Sequence, residues 1–381
     1  SRARVALAAA LLHDVGHGMF SHAFESVAKR LSFGMADHEE VSSKVIQESE
    51  IAGVLEEGGL DPAKVATLIA RKGPEDLYDA VVSSQFDADR LDYMRRDRLM
   101  CGVQSGGIDF TWLVQNLEIG RVPSSAGEVE TASAAPPSTV QTFVLGSKAV
   151  MASEAYVLAL FQLYPTVYFH KTTRSAEMVF KDLMLRTFRY LQEGTPSACG
   201  LSGTHPFARL SASPKDISSI LQLDDSVFWG SLPQFREAED KGIGFLSENL
   251  RLRRLPKVHD LGDLFASAGP PLEVEKTWTK ASALARKEFE GWNLEKSRDG
   301  FDRILFDAEM RDPYSKNEKK GRLNRIHVAV GAEVKDIAHY SPMINSMEPF
   351  RFIRAYTYSD DDEAAKFVAD TKEKLKKTME A

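Results

Sequence analysis

Four of the nine histidines, His13, His17, His22 and His38, fall within 26 residues of a 381-residue chain, in the runs LLHDVGHGMFSHAFE and DHEE. His13 and Asp14 adjoin at the end of an apolar stretch, where an imidazole nitrogen and a carboxylate oxygen can share one divalent ion. Burying that carboxylate with no metal or basic partner would be costly. A single His-Asp pair more often caps a helix or satisfies a carbonyl, so the pair alone is a weak signal. Three further imidazoles that titrate near neutral pH change the balance. They are what a phosphoryl-transfer site needs to protonate a leaving oxygen and neutralise phosphate charge.

A second constellation lies in SSQFDADRLDYMRRD. On a helix, Asp89, Tyr93 and Asp97 are spaced by four along one face, with Arg90 beside Asp89. One wall would then offer a carboxylate to a metal, a cation to phosphate, and a hydroxyl and a carboxylate to a sugar. The plainer alternative is a solvated helix laced with ion pairs such as Asp92 to Arg96. A third run, YPTVYFHKTTRSAE, puts Tyr164, Tyr168 and Lys171 on one predicted helical face with His170 adjacent. Its rings could stack on a base while Lys171 and Arg174 meet phosphate, although aromatics at this spacing more often form core.

The elements that must carry these residues are mostly helices. Ala3 to Leu12 is nearly all Ala, Val and Leu and predicts a helix buried on most faces, ended by Gly16 and Gly18. Val41 to Leu55 and Pro62 to Ala70 have helical spacing, the latter with Asp61 as N-cap and Pro62 in the first turn. Ser84 to Leu99 and Met151 to Leu191 are further helices. Between them Leu113 to Ile119 and Val140 to Leu145 predict a β-hairpin around the Ser/Ala/Pro-rich Pro123 to Ser138. Thr195 to Ser213 reads as a linker, and Asp216 to Leu255 as two or three helices. Arg325 to Val330, Val334 to Ile337 and Phe350 to Tyr358 have strand composition, before a charged helix over Asp362 to Met379. The fold class is therefore mainly α, a helical core with a small α+β C-terminal part.

Composition sets the bounds. Hydrophobic residues at 43% and charged residues at 27% describe an ordinary globular protein. No apolar run approaches the ~18 residues of a membrane span and no signal peptide is evident, so a cytoplasmic protein is expected. Cys101 and Cys199 lie far apart, which argues against a disulfide framework or a thiolate zinc site. The net charge of −7 disfavours a generic nucleic-acid surface, so a polyanionic ligand would need a local cluster of Lys and Arg. The chain starts at Ser1 inside a predicted helix and is expected to continue upstream.

Taken in order, HDVGHG with FSHAFE, FDADRLDYMRRD and VYFHKT resemble the HD-superfamily dNTP triphosphohydrolases, in particular a bacterial branch similar to the mammalian enzyme that joins a sterile alpha motif to an HD domain. The likeness covers residues 1 to 190 and continues more loosely through RDPYS, RIHV and FRFIRAYTY. It implies an HD core over 1–194 with a hairpin insertion near 113–145, a helical region over 195–305 and an α+β region over 306–381. It implies that His13, Asp14 and Asp89 bind a divalent metal, which these ligands allow to be Mg, Mn, Fe, Ni, Co or Zn. His17 would donate the proton to the leaving oxygen, with His38 and Glu25 in support, and His22 would contact phosphate. Arg90 stands where the family usually has a phosphate-binding Lys. Tyr93 and Asp97 would hold the sugar 3′-hydroxyl, Tyr168 would pack on the deoxyribose, and Lys171 would help bind substrate. The implied reaction is hydrolysis of a dNTP to deoxynucleoside and inorganic triphosphate.

The sequence departs from the family in several places. The first metal ligand, a His in an Arg-x-x-His-Ser type motif upstream of His13, is absent. Glu25 replaces an Asp, Leu160 stands for an Arg, and a His expected near Tyr164 is missing. Two other readings stay open: a relaxed HD phosphohydrolase acting on other nucleotides or nucleic acid ends, and a nucleotide-binding sensor without turnover. The resemblance also implies a homo-oligomer, a dimer or a tetramer. An allosteric nucleotide would find basic stretches at Arg251 to Lys257 and at Lys316, Lys319, Lys320, Arg322 and Arg325. No membrane partner is expected, and nucleic acid is the less favoured ligand.

Overall fold

A computed structural model describes residues 1–34, 36–70, 76–123, 139–266, 268–297, 300–314, 323, 325–331 and 333–380. The Ser/Ala/Pro-rich segment after Pro123 and the lysine-rich run Lys316 to Arg322 lie outside them. The chain folds as two compact units, each drawn from separate stretches: residues 1–16, 38–168 and 312–350 in the first, and 17–37, 169–311 and 351–381 in the second. The sequence reading instead divides the chain linearly after residues 194 and 305.

The first unit is mainly helical. Its helices are Arg2–Leu12, His38–Glu48, Glu50–Glu57, Pro62–Ile69, Leu77–Val82, Ala88–Cys101, Phe110–Gln115 and Val150–Leu163, with two short ones, Ile337–Tyr340 and Pro342–Ser346. The predicted Val41 to Leu55 helix is two helices, because the Ser49 side chain accepts from the Ile51 amide and starts a new one. Asp61 caps the Pro62 helix as expected. Arg2–Leu12 forms, but it is not buried on most faces: only Ala6 and Ala9 are enclosed, whereas Leu7 and Leu11 are exposed.

The hairpin also forms, with Leu117–Pro123 antiparallel to Thr139–Gly146 and Leu117 opposite Leu145. Leu113 sits instead in the preceding helix, which Asp109 caps. His327–Val330 extends the sheet in parallel next to Thr139–Gly146, and Glu333–Asp336 closes it antiparallel.

The second unit holds His22–Arg30, Lys171–Gln192, Pro206–Ala212, Ile217–Ile220, Asp225–Arg236, Lys241–Arg251, Pro271–Lys296 and Asp362–Glu380, with a three-stranded sheet in the order Lys257–Asp260, Phe350–Thr357, Ile304–Arg311. Phe188, Phe207, Phe228 and Phe235 are fully buried in its main core, each stabilising the fold by about 2–3 kcal/mol before entropy is counted. The predicted linker Thr195 to Ser213 is ordered, with a short turn at Pro196–Cys199 and the Pro206–Ala212 helix. A 26-residue helix, Pro271–Lys296, lies within the stretch 195–305 for which the resemblance implies a helical region.

Candidate functional site

In the first unit the Arg2–Leu12 helix delivers His13 at its C-cap. Nδ1 lies 2.9 Å from the Ala10 carbonyl oxygen, so this nitrogen carries a proton and Nε2 faces the carboxylates. Nε2 is 3.2 Å from Asp14 Oδ1 and 3.7 Å from Asp89 Oδ2. The nearby Asp89 carboxylate, opposed by burial and aided by Asp14, pushes the His13 pKa up to about 9. Burial works against the Asp89 carboxylate, but His13 and Arg90 hold it below the usual range.

Ligand atoms of His13, Asp14 and Asp89 all lie within 4.8 Å of one another. One imidazole with its second nitrogen fixed, together with two carboxylates, suits a divalent ion of hard or borderline character. Asp14 is 49% exposed, so the argument from its burial does not hold. The convergence of donors carries the metal reading instead.

The turn after His13 is fastened by Ser42, which sequence alone did not single out. Its hydroxyl donates to the His13 carbonyl at 2.6 Å and accepts from the Gly16 amide at 2.9 Å. A Cβ on Gly16 would meet the Ser42 nitrogen at 2.3 Å and the His38 carbonyl at 2.5 Å, so only glycine fits there. His38 begins the helix that carries Ser42.

The Ala88–Cys101 helix presents the second constellation. Asp87 caps it, accepting from the Arg90 amide at 2.8 Å. The helix therefore starts after Asp87 rather than at Ser84, and an Asp just before the periodic residues is the signal that marks the later start. Tyr168 donates its hydroxyl to Asp97 Oδ2 at 2.9 Å. Tyr93 and Tyr164 stand edge-on to the Tyr168 ring at 6.0 and 6.1 Å. Burial raises the Tyr93 and Tyr168 pKa values, so both phenols stay protonated donors. Arg90 Nη1 is held by the Ser84 carbonyl and Asp87 Oδ2. Burial acts against the cation, but Asp87 together with Tyr93, Tyr156 and Tyr164 overcomes it and raises the Arg90 pKa. The Asp92–Arg96 pair forms on the exposed side at 2.7 Å.

The third constellation needs two corrections. Met151 to Leu191 is not one helix: Val150–Leu163 passes into a π-helical turn at Tyr164–Tyr168, and a new helix, Lys171–Gln192, starts with His170 as its cap. Tyr164, Tyr168 and Lys171 therefore do not share a continuous helical face. Such π turns are frequent at functional sites. Arg174, predicted to meet phosphate, is buried in the second unit. Its Nε and Nη2 bond Asp307 at 2.7 and 2.6 Å, and its Nη1 bonds Glu177 at 2.7 Å. Lys171 is exposed at the start of its helix.

The remaining predicted residues also belong to the second unit. The His17 and His22 rings meet edge to face at 4.9 Å. His22 Nδ1 is 3.1 Å from Glu25 Oε2, and Lys29 pairs with the other oxygen of the same carboxylate. Just before the His22–Arg30 helix, Phe20 and Ser21 both adopt positive φ, at 53° and 50°. Two successive non-glycine residues in that region hold local strain. The Phe20 amide is tied to Asp225 Oδ1 at 2.8 Å.

Residues 2–94 match the HD domain and 138–198 the HD-associated region, so the chain carries an HD domain at its N-terminal end. An uncharacterised Bacillus subtilis protein, YwfO, is 30% identical over 256 residues, 66% of this chain and 51% of that protein. The Dictyostelium discoideum homologue of the deoxynucleoside triphosphate triphosphohydrolase SAMHD1 is 33% identical over 120 residues, 28% of this chain and 22% of that one. The chain thus spans about half the length of the Bacillus relative and less of the other. A crystal structure of a phosphohydrolase from Bacteroides thetaiotaomicron superposes with a TM-score of 0.65 at 23% identity, over 94% of this chain and 80% of that one, a likeness of fold. Among the described residues no helix is long and apolar enough to cross a membrane.

Proposed function

We propose that the chain is a metal-dependent phosphohydrolase that cleaves deoxynucleoside triphosphates to deoxynucleoside and inorganic triphosphate. The observation that carries the reading is the convergence of His13 Nε2, Asp14 and Asp89, with the other His13 nitrogen committed to a carbonyl. A divalent ion held there would polarise a phosphoryl oxygen and lower the pKa of water. Water attacks the α-phosphorus, the bond from phosphorus to the 5′ oxygen breaks and the leaving oxygen takes a proton, a step for which the resemblance implies His17, with His38 and Glu25 in support. The same resemblance implies phosphate contacts for His22 and for Arg90, and a substrate contact for Lys171.

The choice of a deoxynucleotide is supported by the Asp97–Tyr168 hydrogen bond beside Tyr93. Tyr93 and Asp97 would hold the 3′-hydroxyl, while the Tyr168 ring would leave little room for a 2′-hydroxyl. The SAMHD1 homologue, named for this activity, points the same way. A dimer or tetramer in the cytoplasm, and an effector nucleotide at the exposed Arg251, Arg253, Arg254 and Lys257, belong to the same proposal.

A relaxed phosphohydrolase is the second reading. Leu160, where the family has an Arg, is buried in apolar core and offers nothing to a phosphate. Product analysis after incubation with each of the four dNTPs and with GTP, in Mg and in Mn, decides between them. Triphosphate plus deoxynucleoside is expected; orthophosphate or pyrophosphate would mean a different scissile bond, and no product would mean a binding protein.

A further inference from the structure

Asp87 takes no part in the chemistry above, yet its carboxylate is only 3% exposed and accepts from three donors. Oδ1 takes the Arg90 amide at 2.8 Å, and Oδ2 takes the Ser84 amide at 3.0 Å together with Arg90 Nη1. The Ser84 carbonyl accepts from the same Nη1. The turn that supplies these acceptors is itself pinned. The Gln85 amide donates to the Leu323 carbonyl at 2.7 Å, its side chain donates to the Pro313 carbonyl at 3.1 Å, and its carbonyl accepts from the buried Tyr156 hydroxyl at 2.9 Å.

A guanidinium offers five donors in a rigid planar fork, so two acceptors on one terminal nitrogen fix the direction of the rest. The geometry points to Asp87 as a positioning residue for phosphate recognition: through Arg90, it sets the direction in which Nε and Nη2 are offered to a phosphate of the substrate. This rests on the reading of Arg90 as a phosphate ligand. Asp87 also offsets part of the Arg90 charge, so its loss has two opposed effects. An untethered Arg gains long-range attraction but must give up rotamer freedom on every binding event. Through-solvent attraction is screened and the entropy cost is not, so the loss of tethering dominates.

Asp87→Asn separates this role from helix capping, because Asn caps as well as Asp does while lacking the charge that holds the guanidinium. The probe is inorganic triphosphate, with affinity measured by titration calorimetry on the full chain. The expected result is about tenfold weaker binding in Asp87→Asn at unchanged metal content, and no further loss when the change is made in Arg90→Ala. With whichever nucleotide the wild type hydrolyses, KM should rise while kcat stays within about threefold. A merely structural role acting through Asp89 would lower kcat and metal content instead. Multiplying losses in the double variant, or wild-type affinity in Asp87→Asn, would overturn the inference. Asp87→Ser also retains a capping oxygen and serves as a second variant; failure of both to fold would make Asp87 a folding residue and equally overturn it. If the wild type hydrolyses no dNTP, the proposed function fails while the triphosphate titrations still decide the role of Asp87.

Discussion

The starts of two helices, Ala88–Cys101 in the first unit and Lys171–Gln192 in the second, look alike as sequence. Each follows a side-chain cap and carries an arginine in its first turns, and both were candidates for phosphate chemistry. In the second unit Arg174 is closed off: its guanidinium nitrogens are taken up by Asp307 and Glu177, all within one unit and nearly out of solvent. In the first unit Asp89 is about one-third exposed and lies 3.7 Å from the His13 Nε2, beside the exposed Asp14. A charge network that is complete without a ligand builds the fold, whereas one that leaves donors converging on solvent is suited to binding. Spacing along a helix does not distinguish them; the partners 133 positions away do.

The largest expected break in this contrast is Asp89→Ala. It should cost about a thousandfold in kcat, or ~4 kcal/mol, with little change in Tm. Steady-state kinetics beside a thermal melt would check it, and unchanged turnover would remove Asp89 from the metal site. Arg174→Ala should do the reverse, destabilising the fold by about 3–5 kcal/mol because two carboxylates lose their buried partner. Denaturant unfolding reads this, and a variant as stable as the wild type would mean that the network is dispensable.

Tyr168→Phe deletes the hydroxyl bonded to Asp97 and should lower kcat/KM for a deoxynucleotide about tenfold, while leaving triphosphate binding intact. An equal loss in both measurements would place Tyr168 on the phosphates instead.

Asp182, on the Lys171–Gln192 helix, is the exception within the second unit. Its Oδ2 is buried and has no hydrogen-bond partner. Burial, and next the charge of Asp302, push its pKa up to about 7 against Arg186, Arg189 and Arg30. An acid with a raised pKa binds its proton more tightly when folded, so stability falls as pH rises from ~4 to ~7 and the full cost persists above that. Asp182→Asn should therefore raise Tm by roughly 2–4 °C at pH 8 and change it little at pH 4. A pH-independent difference would refute this. Smallest of all, Arg96→Ala breaks an exposed pair with Asp92 and should shift stability by under about 0.5 kcal/mol.

The part of this picture that sequence made legible is local. Asp61 with Pro62, the existence of the hairpin and the strands over 327–336 and 350–357 follow from short-range patterns, and His13 with Asp14 from adjacency. Asp89 and Tyr168 came from the ordered motifs and the resemblance they carry. What stayed hidden is long-range. Nothing around Ser42 announces that its hydroxyl fastens a turn 29 positions away. The bond from Tyr168 to Asp97 spans 71 positions, and the pair that removes Arg174 from the site spans 133. The bounds of the Pro271–Lys296 helix, within the helical region expected over 195–305, do not stand out in the sequence although Ala281, Ala285, Phe289 and Trp292 form a buried stripe at helical spacing, because charged residues fill the positions between them.

The central claim is that His13, Asp14 and Asp89 hold one divalent ion. Titrating metal-stripped protein with Mn(II), with bound metal counted by elemental analysis after gel filtration, tests it most directly. The account predicts one tightly held ion per chain, lost in Asp89→Ala and in His13→Ala and retained in Arg174→Lys. Full occupancy in the Asp89 and His13 variants, or no tight binding by the wild type, would contradict it.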